Sequence, residues 1–598
     1  MKNFLKRYGV SLLALLLFLY GVGISGLHVY KTKLHPDVVV TPGEEQAERP
    51  FMVGNKEKKY SVEKMGIETS NLTDNNVDGD DGLLIVPNDY ENIFELYGLP
   101  RLERMEITEA AELVDSMQVM KKIRNLGIKA SDYWTPELKY KTIYADVMER
   151  MDSRDYSKLI EFDGTKISEI NGFIADKKNV YVKLTAREIE WDMTLLVPSD
   201  VAIDALGVDF YSDKDIGKLI HLVDKENVSL NNFNIQNLQY EFGLFILGGH
   251  GISLRNSTFN NAYGKAIVVM GIDDYIEMTG NTVESSGHGA IIMNGNISKV
   301  VLKDNKLLHT RGSDNFSASI VLSSVEMANL NTCFNPYIES SIADHLNAPH
   351  DCVVIGNQII DGNSSGIYSD GSYGNYFINN TLYLNDKEGI CLDQGTALCY
   401  VAGNVFDGNG SRRKMSVDEL MADFVGEFGL AADGTSAAKL PGISLDNAGY
   451  NIIYNNVVKN NSGSGIKMVR SSARNIIMNN VIMNNNQGEN QVFHFFGVEL
   501  GSNLKPDYAT TSIDFTACFE NIICRNVIDG EHYSGVYLAP ECYTNDIFDN
   551  VILRSTYFSI ESHSDKYNAS ANNIADTNSS GIDLSGLTNG VIMLPGIE

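Results

Sequence analysis

The feature that most constrains how this chain can fold is an asparagine that returns at nearly constant spacing through its second half. It lies in short apolar phrases such as IEMTGNTV, NYFINNTL and NIIMNNVI, and successive copies are 24, 52, 23, 24, 52, 24, 46 and 24 residues apart. A base period near 24 residues with three insertions predicts a solenoid, in which each repeat stacks on the one before it. The repeated residues are Asn281, Asn305, Asn357, Asn380, Asn404, Asn456, Asn480, Asn526 and Asn550.

The length of the repeat decides which kind of solenoid forms. Each unit contains short β-branched runs between Asn and Gly turns, and three strands of roughly three to five residues with their turns fill it. No room is left for a helix between the strands. Stacked coils of this kind align one asparagine per coil in a ladder of amide hydrogen bonds. The sequence therefore predicts an all-β parallel β-helix over residues 161–598.

Residues from about 161 to 590 resemble the pectin-lyase-like superfamily of right-handed parallel β-helices. The resemblance rests on the repeated asparagine and on the short amphipathic pattern DGTKISEINGFIADKKN that precedes the first strands. It implies three short strands per coil, an N-terminal capping helix, and a ladder in the turn between the second and third strands. It also implies an active site on the face of the first strand. Because this fold hosts lyases, hydrolases, epimerases and adhesins, it does not identify the reaction.

The first 160 residues are predicted to form three segments. Two lysines and an arginine precede residues 9–27, which carry no charge, and about 20 apolar residues span a bilayer. We expect a signal anchor or signal peptide at 1–30, a flexible linker at 31–81 and a small helical segment at 82–160. The helical segment is expected to serve as a docking or spacer domain. The protein is accordingly predicted to be extracytoplasmic, either membrane-anchored or secreted.

The net charge of the chain limits the kinds of partner that we expect, and its cysteine content limits the kinds of metal site. A formal net charge of −29 argues against a nucleic-acid partner, because phosphates would be repelled. The charge does not argue against an anionic polysaccharide as a partner, since a bound cation bridges like charges. The odd number of cysteines leaves at least one thiol free, and none is spaced for a structural zinc site, so we expect buried thiols in stacked strands. The cysteines are Cys333, Cys352, Cys391, Cys399, Cys518, Cys524 and Cys542.

The strand that follows each ladder turn carries the candidate chemistry. It reads GICLD at 389–393 and GISLD at 442–446. Aligned copies place Asp370, Asp393 and Asp446 in one outward column on successive coils, about 4.8 Å apart per step. Stacked carboxylates repel, so we expect either an acid/base set or a calcium site between them. In the alternative interpretation each aspartate only caps the turn that follows it.

Further candidates surround this column. Lys467 lies one coil beyond Asp446 and is a candidate catalytic base. The predicted substrate-binding residues are cations, an acid and rings on which a sugar could lie. They are Tyr368, Arg412, Arg413, Arg470, Phe495, Glu499 and Tyr537.

Three insertions border the same face. Residues 325–350 and 502–519 follow the first strand of their coils and 411–440 precede it, so together they predict a walled groove. Pro349-His350-Asp351 is similar to part of the Asp-Pro-His-Asp motif of β-helix alginate C5-epimerases, with Ala348 in place of the first aspartate. The similarity implies a catalytic base at His350.

Three functions remain open on this basis. A lyase or C5-epimerase acting on a uronic-acid polymer needs a neutralised carboxylate and a base within reach of the C5 proton. A glycoside hydrolase needs one protonated and one ionised carboxyl group, which the stacked aspartates could supply. The third is a non-catalytic glycan-binding or adhesive solenoid. The sequence favours the lyase or epimerase.

Overall fold

Three short strands follow one another around each coil, and equivalent strands of successive coils pair in parallel. This computed structural model contains about 14 coils, all within one unit, Val77–Glu598. The all-β prediction is thereby confirmed. The structure describes residues 83–96, 103–109, 135–236, 238–260, 262–312, 314–324, 348–410, 440–485, 496–501, 518–530, 532–540, 542–564, 568–575, 581–583 and 592–593.

Several predictions fall outside these ranges. The anchor at 1–30, the linker at 31–81 and most of the three insertions are among them. Of the helices that the structure describes, none is long and apolar enough to cross a membrane.

The first sheet carries the candidate site. Two long strands, Lys265–Thr279 and Ile291–Lys303, run from this sheet into the second. The other first-sheet strands are Leu195–Leu196, Ile216–Val223, Tyr240–Leu247, Ile320–Ser323, Ile367–Asp370, Ile390–Asp393, Ile443–Asp446, Ile466–Val469, Phe496–Leu500, Ser534–Leu538, Phe558–Ser562 and Gly581–Asp583.

The second and third sheets complete each coil. The second-sheet strands are Lys158–Phe162, Val180–Leu184, Val201–Asp204, Glu226–Asn231, His250–Arg255, Val353–Ile355, Tyr376–Ile378, Tyr400–Ala402, Ile452–Tyr454, Ile476–Met478, Ile522–Cys524, Asp546–Phe548 and Ala569–Ala571. The third-sheet strands are Asn234–Ile235, Thr258–Asn260, Thr282–Glu284, Lys306–Leu308, Gln358–Ile360, Thr381–Tyr383, Val405–Asp407, Val457–Lys459, Val481–Met483, Val527–Asp529, Val551–Leu553, Ile574–Ala575 and Ile592–Met593. Glu188–Glu190 and Asp209–Tyr211 pair separately.

Three α-helices accompany the strands among the described residues: α1 (Tyr90–Leu96), α2 (Pro136–Asp152) and α3 (Ile167–Ile174). A short 3-10 helix also spans Asn315–Ser317. Helix α3 is the predicted capping helix, and it buries an isoleucine stripe in the core at the N-terminal end of the solenoid. The inward apolar positions of all three sheets continue this core along the axis.

The helical segment packs against the outward face of the second sheet. Tyr140 on α2 donates a hydrogen bond to the Leu83 carbonyl, and its ring lies 6.1 Å from that of Tyr376. Asn479 donates to the Met105 carbonyl at 2.9 Å. The segment therefore covers apolar strand residues on a side of the coil other than the one that carries the aspartate column.

The predicted asparagine ladder lies between the second and third strands of each coil. Each side-chain amide donates to the side-chain oxygen of the next asparagine and to a strand carbonyl. Two more ladders line the other turns, which the sequence analysis did not identify. One contains Asn385, Asn409, Asn461 and Asn485 and ends on His532; the other contains Asn375, Asn451, Asn475, Asn521, Asn545 and Asn568.

Replacing Asn456 with alanine should destabilise the fold by roughly 3 kcal/mol, since each buried polar group left unpaired costs about 1–3 kcal/mol. The side chain of Asn456 accepts from the backbone and amide of Asn404 at 2.9 and 3.0 Å and donates to the Val401 carbonyl at 2.9 Å. Urea unfolding checks this value. The control is Asn296→Ala, at a half-buried position outside the ladders, where we expect a change below about 0.5 kcal/mol.

Candidate functional site

Backbone pairing on the first sheet brings the predicted column together. Asp370, Asp393 and Asp446 are paired in register on three successive strands. The neighbouring outward column contains Tyr368, Cys391, Ser444, Lys467, Glu499, Tyr537 and Glu561. The three aspartates face outward but are buried, with exposed fractions of 4%, 5% and 8%.

Asp370 is a buried carboxyl group between Ser323 and Asp393 of the adjacent strands. Burial raises its pKa to about 7. A carboxyl with such a pKa keeps its proton near neutral pH, which is what a general acid requires. Asp370 therefore has the property expected of a proton donor.

The Asp393 side chain is held by two hydrogen bonds. Its side chain accepts hydrogen bonds from the Tyr368 hydroxyl at 2.9 Å and from the Gln394 N–H at 2.7 Å. Burial and then the charge of Asp446 raise its pKa, whereas Arg470 lowers it. The Gln394 bond is the turn contact of the alternative interpretation, so Asp393 also supports the backbone of its turn.

Arg470 supplies the positive charge of the stack. Its guanidinium donates through Nε and Nη2 to both oxygens of Asp446, and Nη2 lies 3.6 Å from Asp393 Oδ1. A two-pronged contact of this kind fixes the orientation of the carboxyl group as well as adding interaction energy. Two of the three carboxyl groups, those of Asp393 and Asp446, therefore lie beside this one guanidinium.

The Arg470 guanidinium lies beside Asp393 and Asp446, two of the three residues for which the sequence predicts a calcium site. Among the residues that the structure describes, no group of three or more His, Cys, Asp or Glu side chains is arranged to hold a metal ion. Calcium binding by Asp370, Asp393 and Asp446 stays a prediction.

The raised pKa of Asp370 predicts a pH-dependent stability. The folded state keeps this proton up to about pH 7, whereas an unfolded chain releases it near pH 4. Stability that depends on Asp370 is thus complete below about pH 4 and is lost as the pH rises to about 7. The unfolding free energy of Asp370→Asn relative to wild type should therefore rise between these values and level off above them. Urea unfolding across that range tests this, and a difference that is constant with pH would contradict it.

Lys467 faces away from the aspartates toward the next coil. Its ammonium group lies 3.1 Å from Glu499 Oε1, and the other oxygen of Glu499 accepts from the Ser464 hydroxyl at 2.6 Å. The predicted base and the predicted substrate-binding acid are therefore an ion pair. Both remain candidates for contact with a ligand on this face.

A further acid–base pair lies at the C-terminal end of the same face. Glu561 accepts from the Ser534 hydroxyl at 2.5 Å, and its other oxygen lies 2.6 Å from His563 Nε2. The His563 ring is exposed and its centre is 5.7 Å from that of Tyr537. His563 was not predicted as a site residue. The sequence does contain a pattern that could have identified it. When the copies of the first strand are aligned, His563 falls in the same outward column as the three aspartates.

His350 lies in a turn rather than on the strand face. It pairs with Ser298 and Tyr373 of the adjacent coils, and its ring stacks on that of Tyr373 with centres 4.9 Å apart. Nδ1 lies 3.1 Å from the Ala348 carbonyl. His350 is therefore one of the turn residues that stack on each other in successive coils. Its role as a base stays a prediction.

Three other predicted residues, Arg412, Arg413 and Phe495, lie outside the described residues. Nothing in the structure bears on their predicted role in substrate binding.

The register, the capping helix and the ladders define the class: this is a parallel β-helix with three short strands per coil, the architecture that the sequence resemblance implied. A family model described as periplasmic copper-binding protein (NosD) matches residues 320–492, less than a third of the chain. No curated protein sequence matches the chain.

Solved structures that are similar to this chain include three that share little sequence with it. The Azotobacter vinelandii mannuronan C-5 epimerase AlgE4 A-module is 12% identical, with a TM-score of 0.38 over 65% of this chain and 88% of that one. The periplasmic alginate epimerase AlgG is 12% identical, with a TM-score of 0.35 over 75% and 88%. The Dettilon tailspike protein is 15% identical, with a TM-score of 0.26 over 73% and 68%.

Proposed function

We propose that this protein hydrolyses glycosidic bonds in a uronate-containing polysaccharide outside the cytoplasm. The observation that carries the proposal is the division of charge within the aspartate stack. Burial raises the pKa of Asp370 to about 7, while the Arg470 guanidinium donates to both oxygens of Asp446 two coils away. One neutral and one charged carboxyl group are what glycosidic hydrolysis requires.

In this mechanism Asp370 protonates the leaving glycosidic oxygen. Asp446 takes a proton from the water molecule that attacks the anomeric carbon on the opposite face of the sugar, and Arg470 holds the Asp446 side chain in position. Two coil steps separate the backbones of these residues by roughly 9.6 Å. Inverting glycosidases have carboxyl groups about 6.5–9.5 Å apart and retaining ones about 5–5.5 Å, so the wide separation of these two coils favours inversion of the anomeric configuration. Asp393 positions the stack through Tyr368 and Arg470.

The substrate class follows from the cations beside the aspartates. Lys467 and Arg470 stand on one strand and the turn that follows it, and their side chains are 32% and 29% exposed. Partly exposed cations next to a carboxyl stack suit a sugar that carries its own carboxylate.

The second candidate is the lyase or C5-epimerase that the sequence favours. The specific observation in its favour is the Glu561–His563 pair, because a buried carboxylate orients an exposed imidazole as in many general bases. Lys467 would neutralise the substrate carboxylate or act as a second base. This chemistry would use the C-terminal end of the face rather than the aspartate stack.

The variant His563→Gln separates the two candidates. Under the hydrolase proposal it should change the release of reducing ends from a uronate polymer by less than about 3-fold, since His563 lies four coils from Asp446, roughly 19 Å along the axis. Under the alternative it should lower turnover by about 100-fold or more. A reducing-end assay and absorbance of unsaturated sugars on the same samples measure both. If wild type binds the polymers but changes none of them, the adhesive solenoid is supported instead.

The location outside the cytoplasm and attachment to a membrane are part of the same proposal. They are supported by the basic residues that precede the uncharged stretch at 9–27. The family whose model matches residues 320–492 is described as periplasmic.

A further inference from the structure

We propose that Cys518 and Cys542 form a disulfide that fastens two successive coils at the end of the candidate site. The two residues occupy the same position in consecutive coils, because the residues that follow them, Phe519 and Tyr543, are paired in parallel. Stacked strands bring equivalent backbone positions to about 4.8 Å. Disulfides join Cα atoms about 4.4–6.8 Å apart, so the pair can be bridged by a small local movement.

The two thiols are in contact in the structure. Both side chains are completely buried. Burial, and then the neighbouring thiol of Cys542, raise the pKa of the Cys518 thiol. A thiol whose ionisation is disfavoured reacts slowly once enclosed, so the bond is expected to form while the chain folds and before these coils close.

The other described cysteines do not offer such a pair. Cys352 and Cys399 share one turn column, but Asn375 lies between them, so their backbones are two coil steps apart, roughly 9.6 Å. That separation is too large for a disulfide. Cys524 faces the helical segment, where its sulfur lies 3.7 Å from that of Met105.

The pair lies directly behind the strand that carries Glu499. Cys542 Sγ contacts the Leu500 carbonyl at 3.3 Å, and Cys518 Sγ contacts the Gly501 carbonyl at 3.6 Å. A disulfide here would covalently link two successive coils behind the strand that carries Glu499.

The chemistry is a two-electron oxidation. The two thiols together lose two protons and two electrons to a small-molecule disulfide or a thiol–disulfide oxidant. One S–S bond forms between Cys518 and Cys542, the S–S bond of the oxidant breaks, and the oxidant leaves as two thiols. Such oxidants act outside the cytoplasm, so the natural occurrence of the bond rests on the proposed location.

Peptide mapping of the full chain tests the inference. The chain is unfolded, refolded with oxidised and reduced glutathione, alkylated without reduction and digested for mass spectrometry. We expect a linked peptide pair that contains Cys518 and Cys542, and alkylated Cys352, Cys391, Cys399 and Cys524. Alkylation of both members of the pair, or a link to a different cysteine, would overturn the inference. Because refolding is done in vitro, this outcome does not depend on location or on enzymatic activity.

A thermal melt with a matched variant provides the second measurement. Ser372, Thr396 and Ser472 occupy the same turn position in other coils, where their hydroxyls bond to neighbouring groups, so Cys518→Ser with Cys542→Ser should fold normally. A reducing agent should lower the Tm of refolded wild type by several degrees and leave the Tm of the variant unchanged. Equal sensitivity of both proteins would count against the disulfide.

Discussion

Replacing Asp370 with asparagine is expected to lower cleavage of the polymer by at least about 100-fold, since general acid catalysis contributes about 10²–10⁴. Asparagine has nearly the same shape and cannot donate a proton to the leaving oxygen. Substrate binding should persist, because Lys467, Arg470 and the rest of the face are unchanged. Initial rates of reducing-end release, together with binding of the polymer to the variant, measure the two effects separately.

The matched control for this variant is Asp546→Asn. Asp546 lies on a second-sheet strand away from the aspartate column, and burial raises its pKa as well. The control should retain wild-type activity within about 2-fold. If the two variants lose activity equally, the loss reflects burial of any aspartate and the role of Asp370 as the acid is wrong.

Replacing Arg470 with alanine should produce the largest loss of stability. Removing one partner of a buried ion pair costs about 3–5 kcal/mol, and we expect the lower end because the Arg470 side chain is 29% exposed. The loss should be greatest at high pH, where Asp370 and Asp393, whose pKa values burial raises, lose their protons and repel each other without the cation. It should shrink as the pH falls and protons replace the missing cation. Urea unfolding at pH 5 and pH 8 gives the comparison.

A double variant identifies the origin of that loss. Asp446→Asn combined with Arg470→Ala removes both the cation and the carboxylate that it holds. The double variant should be more stable at pH 8 than Arg470→Ala alone, because no unpaired charge remains buried. A double variant that is less stable than the single one would show that Arg470 acts through packing rather than through charge.

The fold was predictable because the asparagine spacing determines the strand register. Once Asn380 and Asn404 are equivalent, Asp370 and Asp393 must also be equivalent, and the backbone pairing confirms this. The pattern of polar and apolar residues then predicts which side chains face outward.

The contacts within the site could not be predicted in the same way. Arg470 and Ser471 have φ values of 47° and 65°, so the chain turns there through two left-handed conformations. Neither residue type indicates such a conformation from the sequence alone. That turn directs the Arg470 guanidinium back to Asp446 on the preceding coil, while Lys467 is directed forward to Glu499. Periodicity gives the position of each residue but not the direction of a long side chain.

The burial of the aspartates was also beyond the sequence. Outward positions on a sheet are ordinarily exposed, and the strand pattern contains no sign that Asp370 is almost completely covered. Its raised pKa follows from that burial alone. The different roles proposed for Asp370 and Asp446 could therefore be assigned only from the structure.

The most direct test of the proposed function is proton NMR of the full chain incubated with a panel of uronate polysaccharides in deuterated buffer. The account predicts new reducing-end anomeric signals, with no vinyl signal and no deuterium at C5. A vinyl signal would identify a lyase, and deuterium at C5 in intact chains would identify an epimerase. Either outcome, or a panel left unchanged, would contradict hydrolysis by the aspartate stack.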